Sequence, residues 1–177
     1  LRRADLDGMN DADIVTGLDG PVGIGLDLTN SKVYWTDPLS ANRVQRANLD
    51  GTTVEAVITP EVASAGDLAV AGGKIYWIDN GSNKVRRANV DFTSPEDLVT
   101  GLTTPVGISI DESASKMYWI DAGTSKIQRA DLAGTNVEDL VTGLTDPRHL
   151  DLDVAGNKMY WSDGTDGEIR SANLDGS

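Results

Sequence analysis

His149 is the one histidine in this chain of 177 residues, and it stands beside Arg148 in the segment Pro147-Arg148-His149-Leu150. An imidazole changes charge near neutral pH, and a guanidinium grips anionic groups through a planar fork of donors. Asp67, in Ala65-Gly66-Asp67-Leu68, is the third residue of interest. Asp67 and His149 both occupy a position that related segments give to glycine, as in Pro21-Val22-Gly23-Ile24 and Pro105-Val106-Gly107-Ile108. Two readings are open. Asp67, Arg148 and His149 form a ligand-binding site, or they simply pair or face solvent.

The chemistry of catalysis finds little support. A lone histidine cannot build a two-histidine metal site, and the absence of cysteine removes thiolate nucleophiles, thiolate metal sites and disulfides together. There is no Gly-x-Ser-x-Gly elbow and no phosphate-binding loop. Carboxylate pairs could serve glycoside hydrolysis, but nothing singles out one pair. The expectation is a protein that is not an enzyme and needs no cofactor. Calcium is the one metal with candidates. Asp151 and Asp153, followed by Gly156-Asn157, and Asp163 and Asp166 within Asp163-Gly164-Thr165-Asp166-Gly167-Glu168 offer oxygen ligands at short spacing. Neither segment completes the twelve-residue calcium loop, and Asp/Gly clusters also make ordinary tight turns.

Charge narrows the partners. Fifteen basic against 28 acidic side chains give a net charge of −13, which disfavours nucleic acid and anionic membranes and suits cationic partners. The same acidity also keeps a surface soluble. No apolar run approaches the roughly 18 residues of a membrane span, so no membrane insertion is expected. The first residue is Leu1, as expected of a processed or trimmed N-terminus, and Asn80-Gly81-Ser82 is a glycosylation sequon. Secreted chains can lack cysteine, so its absence does not place the protein inside the cell.

These residues must be positioned by a repeat. Every tyrosine and every tryptophan falls in one motif: Tyr34-Trp35-Thr36-Asp37, Tyr76-Trp77-Ile78-Asp79, Tyr118-Trp119-Ile120-Asp121 and Tyr160-Trp161-Ser162-Asp163, spaced 42 residues apart. A second landmark keeps the same phase, from Arg2-Arg3-Ala4-Asp5-Leu6-Asp7-Gly8 and Gln45-Arg46-Ala47-Asn48-Leu49-Asp50-Gly51 to Arg170-Ser171-Ala172-Asn173-Leu174-Asp175-Gly176. A period in the forties with one aromatic pair per unit predicts an all-β propeller of four-stranded antiparallel blades. The chain reads as one domain, 1–177, with repeats at about 20–61, 62–103 and 104–145 and partial blades at 1–19 and 146–177. Within a unit, the spacing predicts strands at 106–110, 116–120, 126–132 and 138–142.

The second strand carries consecutive apolar residues, as in Met117-Tyr118-Trp119-Ile120. Side chains alternate between the two faces of a strand, so such a run needs both faces covered. The motif aspartates, Asp37, Asp79, Asp121 and Asp163, read as structural: each can accept backbone N–H groups or pair with Arg46, Arg87 or Arg129. The Leu-Asp-Gly strand ends read as turn chemistry.

The Tyr-Trp-x-Asp core, the Ala-Asn-Leu-Asp-Gly strand end and the Pro-x-Gly strand start together resemble the YWTD propeller of the low-density lipoprotein receptor family, also called class B repeats. The resemblance covers essentially the whole chain. It implies a propeller, usually of six blades, that binds proteins at one face. It also implies membership among endocytic receptors, signalling co-receptors and basement-membrane proteins. Two departures stand out: this chain has no cysteine-rich module, and it has four motifs rather than six.

Strand counting sharpens that difference. There are four first, four second, five third and four fourth strands, so the strand at 2–6 or the one at 169–174 is surplus to a closed ring of four. The chain is a small closed ring, part of a larger ring, or a ring completed by other chains. The reading that follows is a protein-binding or adhesion module, extracellular or at the cell surface, presenting an acidic face of loops (37–42, 79–83, 121–125 and 163–168). The alternative is a structural unit that self-associates through its terminal strands.

Overall fold

In the computed structural model the chain is described over residues 1–39, 43–58 and 64–177. The strands are β1 (Arg2–Arg3), β2 (Ala12–Asp13), β3 (Ile24–Asp27), β4 (Lys32–Asp37), β5 (Arg43–Asn48) and β6 (Glu55–Ile58). They continue as β7 (Ala65–Ala71), β8 (Lys74–Asp79), β9 (Lys84–Asn89), β10 (Glu96–Val99), β11 (Pro105–Asp111) and β12 (Lys116–Asp121). The last five are β13 (Lys126–Asp131), β14 (Glu138–Thr142), β15 (Pro147–Asp153), β16 (Lys158–Asp163) and β17 (Glu168–Asn173).

They form three complete antiparallel blades, β3–β6, β7–β10 and β11–β14, flanked by a two-stranded β1–β2 and a three-stranded β15–β17. Sequence spacing located the strands of the third blade to within a residue. The innermost strand runs one residue further at each end than expected, and the motif aspartate closes the second strand instead of opening the loop. The inner strands pack in succession, β3 on β7, β7 on β11 and β11 on β15. Residues of β3 and β15 line the same central channel from its two sides.

Each blade interface is built from one aromatic pair. Tyr and Trp are adjacent, so they point to opposite faces of their strand. Tyr34 packs with Leu68 and Trp77 of the following blade, Tyr76 with Ile108 and Trp119, and Tyr118 with Leu150 and Trp161. Trp35 faces the other way, towards Val15 of the first partial blade. The consecutive burial expected of the second strand therefore arises because each blade is sandwiched between two neighbours.

The arginines of the third strand do something the sequence did not suggest. Arg46, Arg87 and Arg129 pair with Glu55, Glu96 and Glu138 of the fourth strand, not with the motif aspartates. Each also donates through Nη1 to a carbonyl of the following blade: Val90 at 3.0 Å, Leu132 at 2.7 Å and Leu174 at 3.0 Å. The correction has a geometric cause. These arginines stand opposite the tyrosines in the ladder, on the face turned to the next blade. The buried aspartates instead accept backbone N–H groups, as Asp121 does from Thr103 at 2.9 Å and Asp163 from Thr165 at 3.1 Å. Other third-strand arginines come near them: Arg43 stands opposite Asp37 in the ladder, Arg86 lies 3.7 Å from Asp79, and Arg170 lies 3.9 Å from Asp163.

Candidate functional site

β-Bulges hold the residues that break the repeat. In β7, Ala65 pairs with Asp79 and Leu68 with Trp77, which leaves Gly66 and Asp67 together opposite Ile78. The same irregularity recurs at Val106-Gly107 in β11 and at Arg148-His149 in β15. A bulge bends its strand and re-aims the side chains it carries. Here it opens the mouth of the central channel, where the inner strands begin.

Asp67, Arg148 and His149 line one cavity of ≈ 190 Å³ at that mouth. Asp67 and His149 also line the larger channel below it, with Ser109 and Asp151. Val22 and Val106 give the upper cavity apolar walls, and Asn80 closes its rim. Sequence reasoning passed over Val22 and Val106 because they fit the repeat pattern. It placed Asn80 in a sequon and in the loop 79–83 of the proposed face. Arg148 is exposed and bonded to Asp146 at 2.7 Å, and its neighbour His149 is exposed as well. The loop at 37–42 is described only through Leu39, so its remainder lies outside the described residues.

Asp67 is partly buried. Its Oδ2 accepts the Ile108 N–H of the next blade at 3.1 Å, and its Oδ1 accepts the Leu68 N–H at 2.9 Å. Burial pushes its carboxyl above the ordinary carboxylate value, against the pull of those two N–H groups and of His149. The sign follows directly. Protonation of Asp67 is favoured in the fold, so its contribution to stability is full below the unfolded value of about 3.9 and is lost as pH rises through the folded value. The paired carboxylates behave oppositely. Arg129 holds Glu138 low, while Lys126 and Gln128 hold Asp139 low, so their contributions are lost as pH falls through the folded values. In a carbon-detected NMR titration Asp67 should titrate above its ordinary range and Glu138 and Asp139 below theirs. An Asp67 that titrates alongside Asp139 would contradict the burial assigned to it.

The four calcium candidates are not brought together. Asp151 accepts the Ser109 hydroxyl and the Leu152 N–H, and Asp153 accepts the Gly156 N–H of a turn. Asp163 is buried at the end of β16, and Asp166 is paired with Arg170. Among the described residues no three histidine, cysteine or acidic side chains converge as a metal site. No described helix is long and apolar enough to cross a membrane.

No protein-family profile matches the chain. Low-density lipoprotein receptor-related protein 5 of Mus musculus is 34% identical over 70 residues, which are 38% of this chain and 4% of that protein. Protein cueball of Drosophila yakuba is 34% identical over 82 residues, 45% of this chain and 13% of that one. Among solved structures, a chain of the nidogen/laminin complex superposes with a TM-score of 0.83 at 28% identity, covering 88% of this chain and 61% of its own. A gluconolactonase of Xanthomonas campestris shares the fold alone, with a TM-score of 0.75 at 19% identity over 89% of this chain and 59% of its own. The chain thus spans less than two thirds of each of these proteins.

Proposed function

This chain is a YWTD-type β-propeller, and on that premise we propose that it is a non-catalytic, protein-binding module of an extracellular or cell-surface protein. The observation that carries the reading is the convergence of Asp67, Arg148 and His149 on one cavity through bulges in two different blades. Preformed β-scaffolds bind through such convergent polar groups on an apolar floor, because little conformational entropy is lost on docking. Val22 and Val106 supply the apolar walls. The net charge of −13 would speed the encounter of a cationic partner with the chain as a whole. The receptor-related and nidogen/laminin likenesses support a protein partner over a small-molecule substrate.

The test uses a library of random twelve-residue peptides displayed on phage and selected on the immobilised chain. Selected peptides should converge on a shared motif. They should bind Asp67→Asn, Arg148→Ala and His149→Ala about tenfold or more weakly, roughly 1.4 kcal/mol or more each, with melting temperatures unchanged for the two exposed positions. Peptides that bind all three variants as tightly as the parent chain would place the recognition face elsewhere.

A further inference from the structure

Among the described residues, two of the four motif tryptophans find no acceptor for the indole N–H. Trp35 donates to Gln45 Oε1 at 3.0 Å, and Trp119 donates to Gln128 Oε1 at 3.2 Å. In both blades the glutamine stands directly opposite the tryptophan in the ladder. The same register puts Arg86 opposite Trp77 and Arg170 opposite Trp161. A glutamine offers a carbonyl oxygen, whereas a guanidinium only donates. The Nε1 atoms of Trp77 and Trp161 are the two left buried and unpaired. One residue type in the third strand thus decides whether the indole is satisfied.

The arginine also stops short of the motif aspartate. Arg86 lies over the Trp77 ring, 5.4 Å from its centroid, and its Nε binds Asp97 at 2.8 Å. Its Nη1 is 3.7 Å from Oδ2 of Asp79, beyond hydrogen-bond reach. In the last blade Arg170 Nε is 3.9 Å from Oδ2 of Asp163, an oxygen that is itself buried and unpaired among the described residues. Trp77 and Asp79 are two residues apart on one strand, so their side chains leave the same face, which Arg86 shares across the ladder. The same holds for Trp161, Asp163 and Arg170. All four tryptophan and aspartate residues are at most 5% exposed. An indole donor, a carboxylate oxygen and a guanidinium just out of reach therefore share one buried face in each of two separate blades.

Buried polar groups in folded proteins are paired, through ordered water where no side chain arrives. Polar groups held more than about 3.5 Å apart are the ones that a water bridges. The aspartate and the arginine already offset each other in charge, so a neutral occupant fits better than an ion. We infer that Trp77 and Trp161 each bind one buried water, which accepts the indole N–H and donates to Oδ2 of Asp79 or Asp163 beside the arginine. In the blades of Gln45 and Gln128 the glutamine takes the place of that water.

The water at Trp77 has a positioning role at the mouth of the channel. Oδ1 of Asp79 accepts the Ser64 and Ser82 N–H groups, both at 3.3 Å, and so holds the turn that carries Asn80 to the rim. A water on Oδ2 orients the carboxylate for those two bonds. The inference stands on this packing and is independent of what the mouth binds.

Nuclear Overhauser transfer from water to the indole protons tests it on the parent chain, whose four tryptophans give four indole N–H signals. Trp77 and Trp161 should show cross-peaks to a long-lived water, and Trp35 and Trp119 should show none. Arg86→Gln should supply Trp77 with the acceptor its neighbours have, erase its cross-peak and leave that of Trp161 unchanged. A missing water cross-peak at either Trp77 or Trp161 would overturn the inference, as would cross-peaks of equal strength at all four indoles. A Trp77 cross-peak that persists in folded Arg86→Gln would overturn it as well, because the water would then not depend on the arginine.

Discussion

Trp119→Ala should destabilise the chain by about 3–5 kcal/mol, the range for truncating a large buried aromatic. Trp119 is fully buried at the centre of the junction between the second and third complete blades, in the same cluster as Tyr76, Ile78, Ile108 and Met117. Its indole N–H donates to Gln128 Oε1 at 3.2 Å, so truncation also strands the glutamine. Blades on both sides of the gap are held by their own ladders and cannot collapse into it, which puts the loss in the upper part of the range. Domain stabilities are about 5–15 kcal/mol, so this single change removes a large share. Urea denaturation followed by tryptophan fluorescence measures it, with Tyr160→Ala, 42% exposed, as the comparison. Tyr160 has no blade against it, so its truncation should shift stability by well under 1 kcal/mol. Equal losses for the two variants would mean that the blades do not lean on one another through these rings.

Gly134→Ala should cost about 2–5 kcal/mol, made of a left-handed backbone penalty of about 1–2 and an overpacking penalty of about 1–3. Gly134 has φ of +80°, and a Cβ built on it would stand 2.3 Å from the carbonyl oxygen of Leu98 in the preceding blade. Gly8 is the matched control. It occupies the same repeat position at φ +79° with nothing within 4 Å of a Cβ, so Gly8→Ala should cost only the conformational part, about 1–2 kcal/mol. The difference between the two isolates the contact between blades. A thermal scan suffices, since 1 kcal/mol is about 2–4 °C for a chain of this size. Two variants that melt together would mean that the glycine serves the turn alone.

That glycine marks where reading the sequence stopped short. Leu-Asp-Gly at Gly51 and Gly176, and its variant Leu132-Ala133-Gly134, is a turn, and as a turn it invited no further account. Folding adds a second reason: each glycine's α-carbon sits against a carbonyl of the preceding blade, at Ile14, Leu98 and Leu140. Phe92 takes the same position at φ +64° and packs near Tyr34, 6.2 Å between ring centres. The bulges were equally invisible. Period-2 patterning predicts an unbroken inner strand, and only the ladder shows two residues set against one at 66–67, 106–107 and 148–149.

The sequence by itself determined the blades. Motif spacing, the aromatic pairs and the turn residues are local signals, repeated in phase, and each strand's length and order follow from them. It also singled out Asp67, Arg148 and His149, because a repeat makes any departure from itself conspicuous. Only the tertiary structure decided what those residues share. Asp67 lies in one blade, and Arg148 and His149 lie two blades on. Their convergence on one mouth depends on the angle between blades, which no local pattern encodes. The same holds for the arginines: their sequence neighbours pointed to the motif aspartates, but the face they occupy turns them to the next blade.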